Sequence, residues 1–262
     1  MFYTFVNGQK KAVKSFYTFI NGQKKNVHTI YTFINGQKKY LFQTINTTLL
    51  YSNTAAGSFT WSIDNINFRY VDIIFAGGNG TPGTVATAIE NGGRGGVYVL
   101  TLNNPTKINI TNGVIGSKGG SPAGGTGKSN GSSGSQLTAS DGSYLSTYSA
   151  GGGGSTGFNL SVNNGAATSY EVSAGGGYGR RLTTSSGSTT RVYTKAGGKG
   201  GGPHGGAAGI APTTGSNVYS KGGDSTDGNY GVNEHSYNNG VGWIKIVGYN
   251  TSYNKADYFP PK

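Results

Sequence analysis

Cysteine is absent from this chain, which excludes disulfides and thiolate metal sites. Acidic residues number nine and histidines three, scattered without an HExxH or other paired-ligand spacing. No metal and no organic cofactor is therefore expected. Apolar runs of the roughly 18 residues that a membrane-spanning helix requires are also missing. The opening MFYTFVNGQKKAVK lacks the basic-then-apolar order of a secretory signal, so cytoplasmic synthesis is expected. Seven prolines are too few for collagen, and charged residues, at 11%, are too few for a charge-rich disordered chain.

What the chain does contain is glycine, 49 residues in 262, well over twice the usual share. Eighteen Tyr and 11 Phe accompany it. Aromatics at that density favour a folded object, because linkers and disordered tails are poor in them.

The first 45 residues say one phrase three times with a period of 14: FYTFVNGQKK, FYTFINGQKK and IYTFINGQKK. Asn-Gly between two β-prone segments is a strong hairpin signal, since a type I′ turn needs positive φ at both central residues. The pairs are Asn7-Gly8, Asn21-Gly22 and Asn35-Gly36. An isolated hairpin is marginal in water. In each phrase both strand faces carry apolar or β-branched side chains, so Tyr3, Phe5, Tyr17, Phe19, Tyr31 and Phe33 are candidates for docking or self-association, for example in a trimer. This stretch holds seven Lys and no acid, out of a net charge of +12 for the whole chain. The lysines read either as an attraction to anionic partners or simply as a wet strand face that discourages edge pairing.

Residues 46–58 read as a polar connector containing the apolar Leu49-Leu50-Tyr51. FTWSI (59–63) and FRYVDIIFAGG (68–78) read as two strands joined by a turn, and VYVLTL, KINI, YEVSA, RVYTKA and GVGWIKIVGY read as further strands. Between them lie 44 of the glycines, many spaced by three, such as Gly113, Gly116 and Gly119, or Gly151, Gly154 and Gly157. Three is the period of the polyproline II helix, and glycine at the facing position lets two such helices approach closely. Either a bundle of short polyglycine II helices or a flexible linker fits the composition; the interleaved strands favour the bundle.

The succession FTWSI, VDIIFAGG, repeated GGxGG blocks and a closing GWIKI, over residues 57–249, resembles the glycine-rich domain of bacteriophage tail and fibre proteins. That resemblance implies a β-framework supporting polyglycine II helices, with the tips between helices acting as host-binding loops. A similar glycine-rich fold occurs outside some receptor tyrosine kinases, but nothing else in the chain matches those receptors. The opening repeats are similar to the tandem Y-x-x-x-NG-x-x-K repeats of structural proteins in phages of gut and Gram-positive bacteria. A particle assembled in the cytoplasm and freed by lysis also reconciles an exposed-surface composition with the missing signal.

The expected fold is thus all-β with polyglycine II helices. Its parts are hairpin repeats (1–45), a connector (46–58), a glycine-rich domain (59–249) and a tail (250–262).

Catalytic readings fail on their own requirements. Gly78, Gly80 and Gly83 spell GxGxxG after a strand, but the next stretch, TVATAIENGG, makes barely two helical turns. GGTGKS at 124–129 lacks the earlier glycine of a phosphate loop and the helix after it. Asp224 and Asp227 bring too few oxygen ligands for calcium, and His204 and His235 have no evident carboxylate or nucleophile partner. No enzymatic activity is expected.

Binding fits better. Tyr144, Tyr148, Tyr170, Tyr178, Tyr193, Tyr230 and Tyr237 fall in or beside the turns between glycine runs, as do Phe158 and Tyr219. Tyr, Ser, Gly and Asn are the residues that antibody loops favour, for contact area at low entropic cost. Arg180 and Arg181 add a cationic spot suited to an anionic glycan or lipopolysaccharide. The same rings could instead close the ends of a small core. The expectation is a virion protein, either a receptor-binding adhesin meeting a host glycan or protein, or a head-fibre, decoration or collar protein without a receptor. Its partners would be other virion proteins through the repeats, with no membrane span and no nucleic acid. Ser155, in the run GGGGST, reads as a position indifferent to alanine.

Overall fold

The computed structural model describes residues 47–80, 92–209, 240–250, 253 and 255–258, together with the backbone strands within 3–43. The described chain is all-β with almost no helix. Tyr3–Val6 (β1) pairs with Gln9–Ala12 (β2), Phe16–Ile20 (β3) with Gln23–Val27 (β4), and Thr29–Ile34 (β5) with Gln37–Gln43 (β6), all antiparallel. The innermost partners are Val6 and Gln9, Ile20 and Gln23, and Ile34 and Gln37. Only an Asn-Gly pair connects each couple. The Asn-Gly residues themselves lie outside the described residues, as do the side chains of Tyr3, Phe5, Tyr17, Phe19, Tyr31 and Phe33.

The next strands are Thr47–Asn53 (β7), Gly57–Asp64 (β8), Tyr70–Ala76 (β9), Val97–Asn103 (β10), Lys107–Ile115 (β11) and Gln136–Thr138 (β12). After these come Tyr144–Tyr148 (β13), Thr156–Val162 (β14), Thr168–Val172 (β15), Arg180–Ser186 (β16), Thr189–Lys195 (β17) and Trp243–Tyr249 (β18). They build three four-stranded antiparallel sheets, ordered β10-β9-β18-β7, β15-β14-β11-β8 and β13-β12-β17-β16. β7 falls inside the stretch that reads as a connector and forms the edge beside β18. β8 and β9, consecutive in sequence, go to different sheets rather than pairing with each other.

The first two sheets face each other. Alternation sends Val71, Ile73, Phe75, Ile244 and Ile246 of one sheet inward against Ile108, Ile110, Phe158, Leu160 and Val172 of the other. Phe75 and Phe158 meet edge to face at 4.8 Å across the gap. Each such fully buried side chain contributes about 1.5–3 kcal/mol of transfer free energy. In β11, Asn112 adopts φ 50° at a bulge, and Gly113 beside it lies against the Phe59 ring, where a Cβ would sit 2.6 Å from ring carbons.

The outer face of the first sheet is buried as well. Ile74, Ala76, Val97, Val99, Trp243 and Val247 cluster there, with Tyr253 and Tyr258 packed over them. Lys255–Tyr258 is a 3-10 turn. Tyr253 and the 255–258 turn therefore strap this face. Asp72, fully buried beneath the strap, accepts from Thr101 Oγ1 (2.6 Å), Tyr249 OH (3.1 Å) and Tyr253 OH (2.8 Å), and pairs with Lys255 Nζ at 3.0 Å.

The glycine-rich segments leave the sandwich from one end. Residues 77–80 continue β9, 92–96 lead into β10, 116–120 continue β11, 149–155 lead into β14, 173–179 continue β15, and 240–242 lead into β18. Their backbones bond to one another in a regular rotation. The N–H groups of Ala150 and Gly153 go to Tyr178 and Gly175, those of Gly151 and Gly154 to Gly120 and Ser117, and those of Gly152 and Ser155 to Ser132 and Ser129. Every third residue thus addresses the same neighbouring segment. Likewise Ala174 and Gly177 donate to Gly201 and Gly198, while Gly77 and Gly80 donate to Gly96 and Gly93. Segments with few side chains to pack satisfy their buried amides through one another.

Ser155 corrects the reading of it as indifferent. It is fully buried, its Oγ donates to Glu171 Oε1 at 2.5 Å, and it accepts the Ser129 N–H at 2.7 Å. Removing that hydroxyl leaves a buried donor and a carboxylate oxygen short of partners. Ser155→Ala is expected to destabilise the fold by about 1–3 kcal/mol in urea denaturation.

Candidate contact surface on the third sheet

Two hairpin-like excursions from the glycine segments build the third sheet. β12 and β13 interrupt the chain between Gly134 and Ser149, and β16 and β17 do so between Gly179 and Ala196. The sheet therefore stands at the end of segments 149–155 and 173–179 opposite the sandwich. Ser149 fastens its base: the buried hydroxyl donates to the Ala196 carbonyl at 2.5 Å and accepts the Ser135 N–H at 2.9 Å.

Pairing assigns the two faces. Arg181 opposes Thr194, Thr194 opposes Thr138, Thr138 opposes Tyr144, and Gln136 opposes Tyr148. Directly opposed residues share a face. One face thus carries Tyr144, Tyr148, Thr138, Thr194 and Arg181, extended by Thr183 and Val192. Tyr144 is the most exposed large apolar side chain among the described residues, at 69%. The other face holds Leu137, fully buried, with Tyr193 at 6% exposure. It is a small core.

Four cations, Arg180, Arg181, Arg191 and Lys195, and one acid, Asp141, belong to this sheet and its turns. Arg191 Nε meets Asp141 Oδ2 at 2.8 Å. The Ser143 hydroxyl, followed by Arg191, holds the Asp141 carboxyl well below the usual carboxylate range. Both groups are about half exposed, so the pair adds little stability and mainly orders the hairpin tips. Arg180 Nη1 donates to the Tyr148 carbonyl at 3.5 Å, and Arg181 Nε has no hydrogen-bond partner among the described residues. With Asp141 engaged by Arg191, the sheet stays net positive.

The structure sorts the sequence-derived binding candidates. Tyr144, Tyr148, Arg180 and Arg181 come together in this sheet. Tyr193 joins the same sheet on its buried side, and Tyr178, at 1% exposure, lies inside the glycine array. Neither of these two rings faces solvent. Tyr170 sits apart on β15 and packs on Phe158 at 6.0 Å between ring centroids. Phe158 is core, and Tyr219, Tyr230 and Tyr237 lie outside the described residues. Asp72 belongs to no binding motif in the sequence, yet one acid inside the apolar run YVDIIFA signals a buried group that requires partners.

Among the described residues no group of three or more His, Asp or Glu side chains is placed to hold a metal ion, and no helix is long and apolar enough to cross a membrane. No known family's model matches the chain, and no curated protein matches it in sequence.

Proposed function

We propose that this chain is a bacteriophage virion protein of the tail-fibre or receptor-binding kind, touching the host surface through the third sheet and its adjoining loops. In this reading the glycine segments are short polyglycine II helices packed as a bundle, and the N-terminal hairpins dock the protein on the particle. The three-residue rotation of backbone bonds supports the bundle. At about 3.1 Å per residue, seven-residue segments would span about 20 Å between sandwich and contact sheet. One observation carries the functional reading: a face bearing the exposed Tyr144 beside half-buried Tyr148, Thr194 and Arg181 is mounted on backbone that is hydrogen-bonded on several sides. Rigid aromatic and guanidinium groups make economical contacts, since little freedom is lost when they bind.

The test is adsorption of the labelled full chain to a panel of gut and Gram-positive bacterial cells. Tyr144→Ala and Arg181→Ser are each expected to weaken binding at least tenfold on the cells that take up the parent protein, with unchanged melting temperature. Binding to no cell, or binding indifferent to both substitutions, would favour a head-fibre, decoration or collar protein instead.

A further inference from the structure

The register of the third sheet lines up one row of side chains across all four strands. Tyr144 on β13 opposes Thr138 on β12, Thr138 opposes Thr194 on β17, and Thr194 opposes Arg181 on β16. Directly opposed residues share a face, so an aromatic ring, two hydroxyls and a guanidinium follow one another on one side of the sheet. At the usual spacing of neighbouring strands the row is about 14 Å long. Tyr144 is exposed and the other three are half-buried, so each is held by its neighbours and still meets solvent.

Charge along the row is one-sided. Among the described residues Arg181 forms no ion pair, and its Nε has no hydrogen-bond partner. Asp141, the one acid of the sheet and its turns, is drawn to the other side. Arg191 Nε holds its Oδ2 at 2.8 Å, and alternation along β17 puts Arg191 on the face opposite Thr194. Asp141 Oδ1 also accepts the Ser143 N–H at 3.0 Å, which fixes the turn immediately before Tyr144. The row therefore ends in a positioned ring on one edge and an unpaired cation on the other.

We infer that this row binds a linear polysaccharide of carboxylate-bearing sugars, laid across the strands rather than along them. A pyranose offers its apolar C–H face to Tyr144, its hydroxyls exchange hydrogen bonds with Thr138 and Thr194, and a carboxylate further along takes the planar fork of Arg181. A polyol phosphate chain would supply the anion but no ring for Tyr144. A folded protein needs more room. Over the seven residues of β16 the face is about 23 Å long, and it is about 14 Å wide. That is less than half of the roughly 800 Å² that each partner contributes to a stable protein interface. The inference rests on the third sheet being the contact surface, and adds which chemistry that surface recognises.

Titration calorimetry of the full chain with oligomers of alginate, polygalacturonate, hyaluronan and polysialic acid tests the inference, beside dextran and a glycerol phosphate polymer. At least one carboxylated oligomer is expected to bind at millimolar or lower concentration, and more weakly as salt rises. Tyr144→Ala and Arg181→Gln are each expected to weaken it at least tenfold, and Thr194→Val several-fold, with an unchanged melt. Arg181→Lys keeps the charge without the fork and is expected to fall between parent and Arg181→Gln. No binding of any carboxylated oligomer overturns the inference, as does equal binding after the carboxylates are reduced to alcohols. Binding that survives both Tyr144→Ala and Arg181→Gln overturns it too. So does binding of the glycerol phosphate polymer in place of the sugars, in favour of a phosphodiester ligand. Adsorption abolished by protease treatment of the cells would overturn it in favour of a protein. Cell adsorption that depends on Tyr144 and Arg181 while no carboxylated oligomer binds removes this inference and leaves the adhesin reading standing. Carboxylated oligomers bound by a chain that adsorbs to no cell would do the reverse.

Discussion

Gly153→Val is expected to lower stability by about 1–3 kcal/mol, the cost of overfilling a packed interior. At position 153 a Cβ would lie 2.5 Å from the carbonyl oxygens of both Gly78 and Asn79, which are backbone and cannot rotate away. Gly153 cannot retreat either, because its N–H donates to the Gly175 carbonyl and its carbonyl accepts from Gly201. Any shift that admits the side chain breaks bonds to two other segments. Gly200→Val meets the Ala174 carbonyl in the same way and is expected to behave alike. Lys199→Ala, on an exposed side chain of the same segment, is the control and should be neutral. For a domain of this size each kcal/mol moves the melting temperature by about 2–4 °C, so differential scanning calorimetry resolves the difference.

Asp72→Ala is expected to cost more, about 3–5 kcal/mol, the range for removing one partner of a buried ion pair. The carboxylate is fully buried and takes two tyrosine hydroxyls, a threonine hydroxyl and the Lys255 ammonium. Its loss leaves those donors facing an apolar hole. Asp72→Asn keeps an acceptor oxygen and is expected to lose less. Lys255, with 29% of its side chain exposed, retains some water, which places the alanine variant in the lower half of the range.

Alkali should release the same strap. Burial first, then the Asp72 carboxylate, pushes the Tyr249 hydroxyl up to about 12 from its ordinary 10.0, and Tyr253 is raised for the same reasons. Below pH 10 these phenols are neutral in both folded and unfolded chains, and the contribution is complete. Between the two values the unfolded chain ionises first and is favoured, so stability falls as pH rises through that window. Urea unfolding at successive pH values, read beside tyrosinate absorbance, should show tyrosine ionisation and strap loss together. A flat stability profile there would contradict the burial of these rings.

Strands with a clear period are legible in the sequence: VDIIFA, VYVLTL, KINI and GWIKIV all pair where alternation places them. β7 is not, because TTLLYSN exposes its residues irregularly as a sheet edge and so lacks a clean alternation. β16 is hidden for a related reason. RRLTTSS carries a single aliphatic residue and is held by register with β17 rather than by burial. Tyrosine itself limits how far the site can be read. Tyr144 and Tyr178 both fall in or beside turns between glycine runs in the sequence, yet one is exposed and the other is buried. Which of them a neighbouring segment covers depends on contacts distant along the chain. The same distance hides the role of Ser155, whose partners Ser129 and Glu171 lie 26 and 16 residues away.

Amide hydrogen exchange across 149–155 and 173–179 is the most direct test of a rigid glycine array. Every N–H in 150–155 donates to a carbonyl of another segment, so protection comparable to that of β9 and β18 is expected. Gly153→Val should lower that protection in both segments at once. Exchange at the rate of free peptide through these glycines, with β9 still protected, would show a linker and contradict a rigid array.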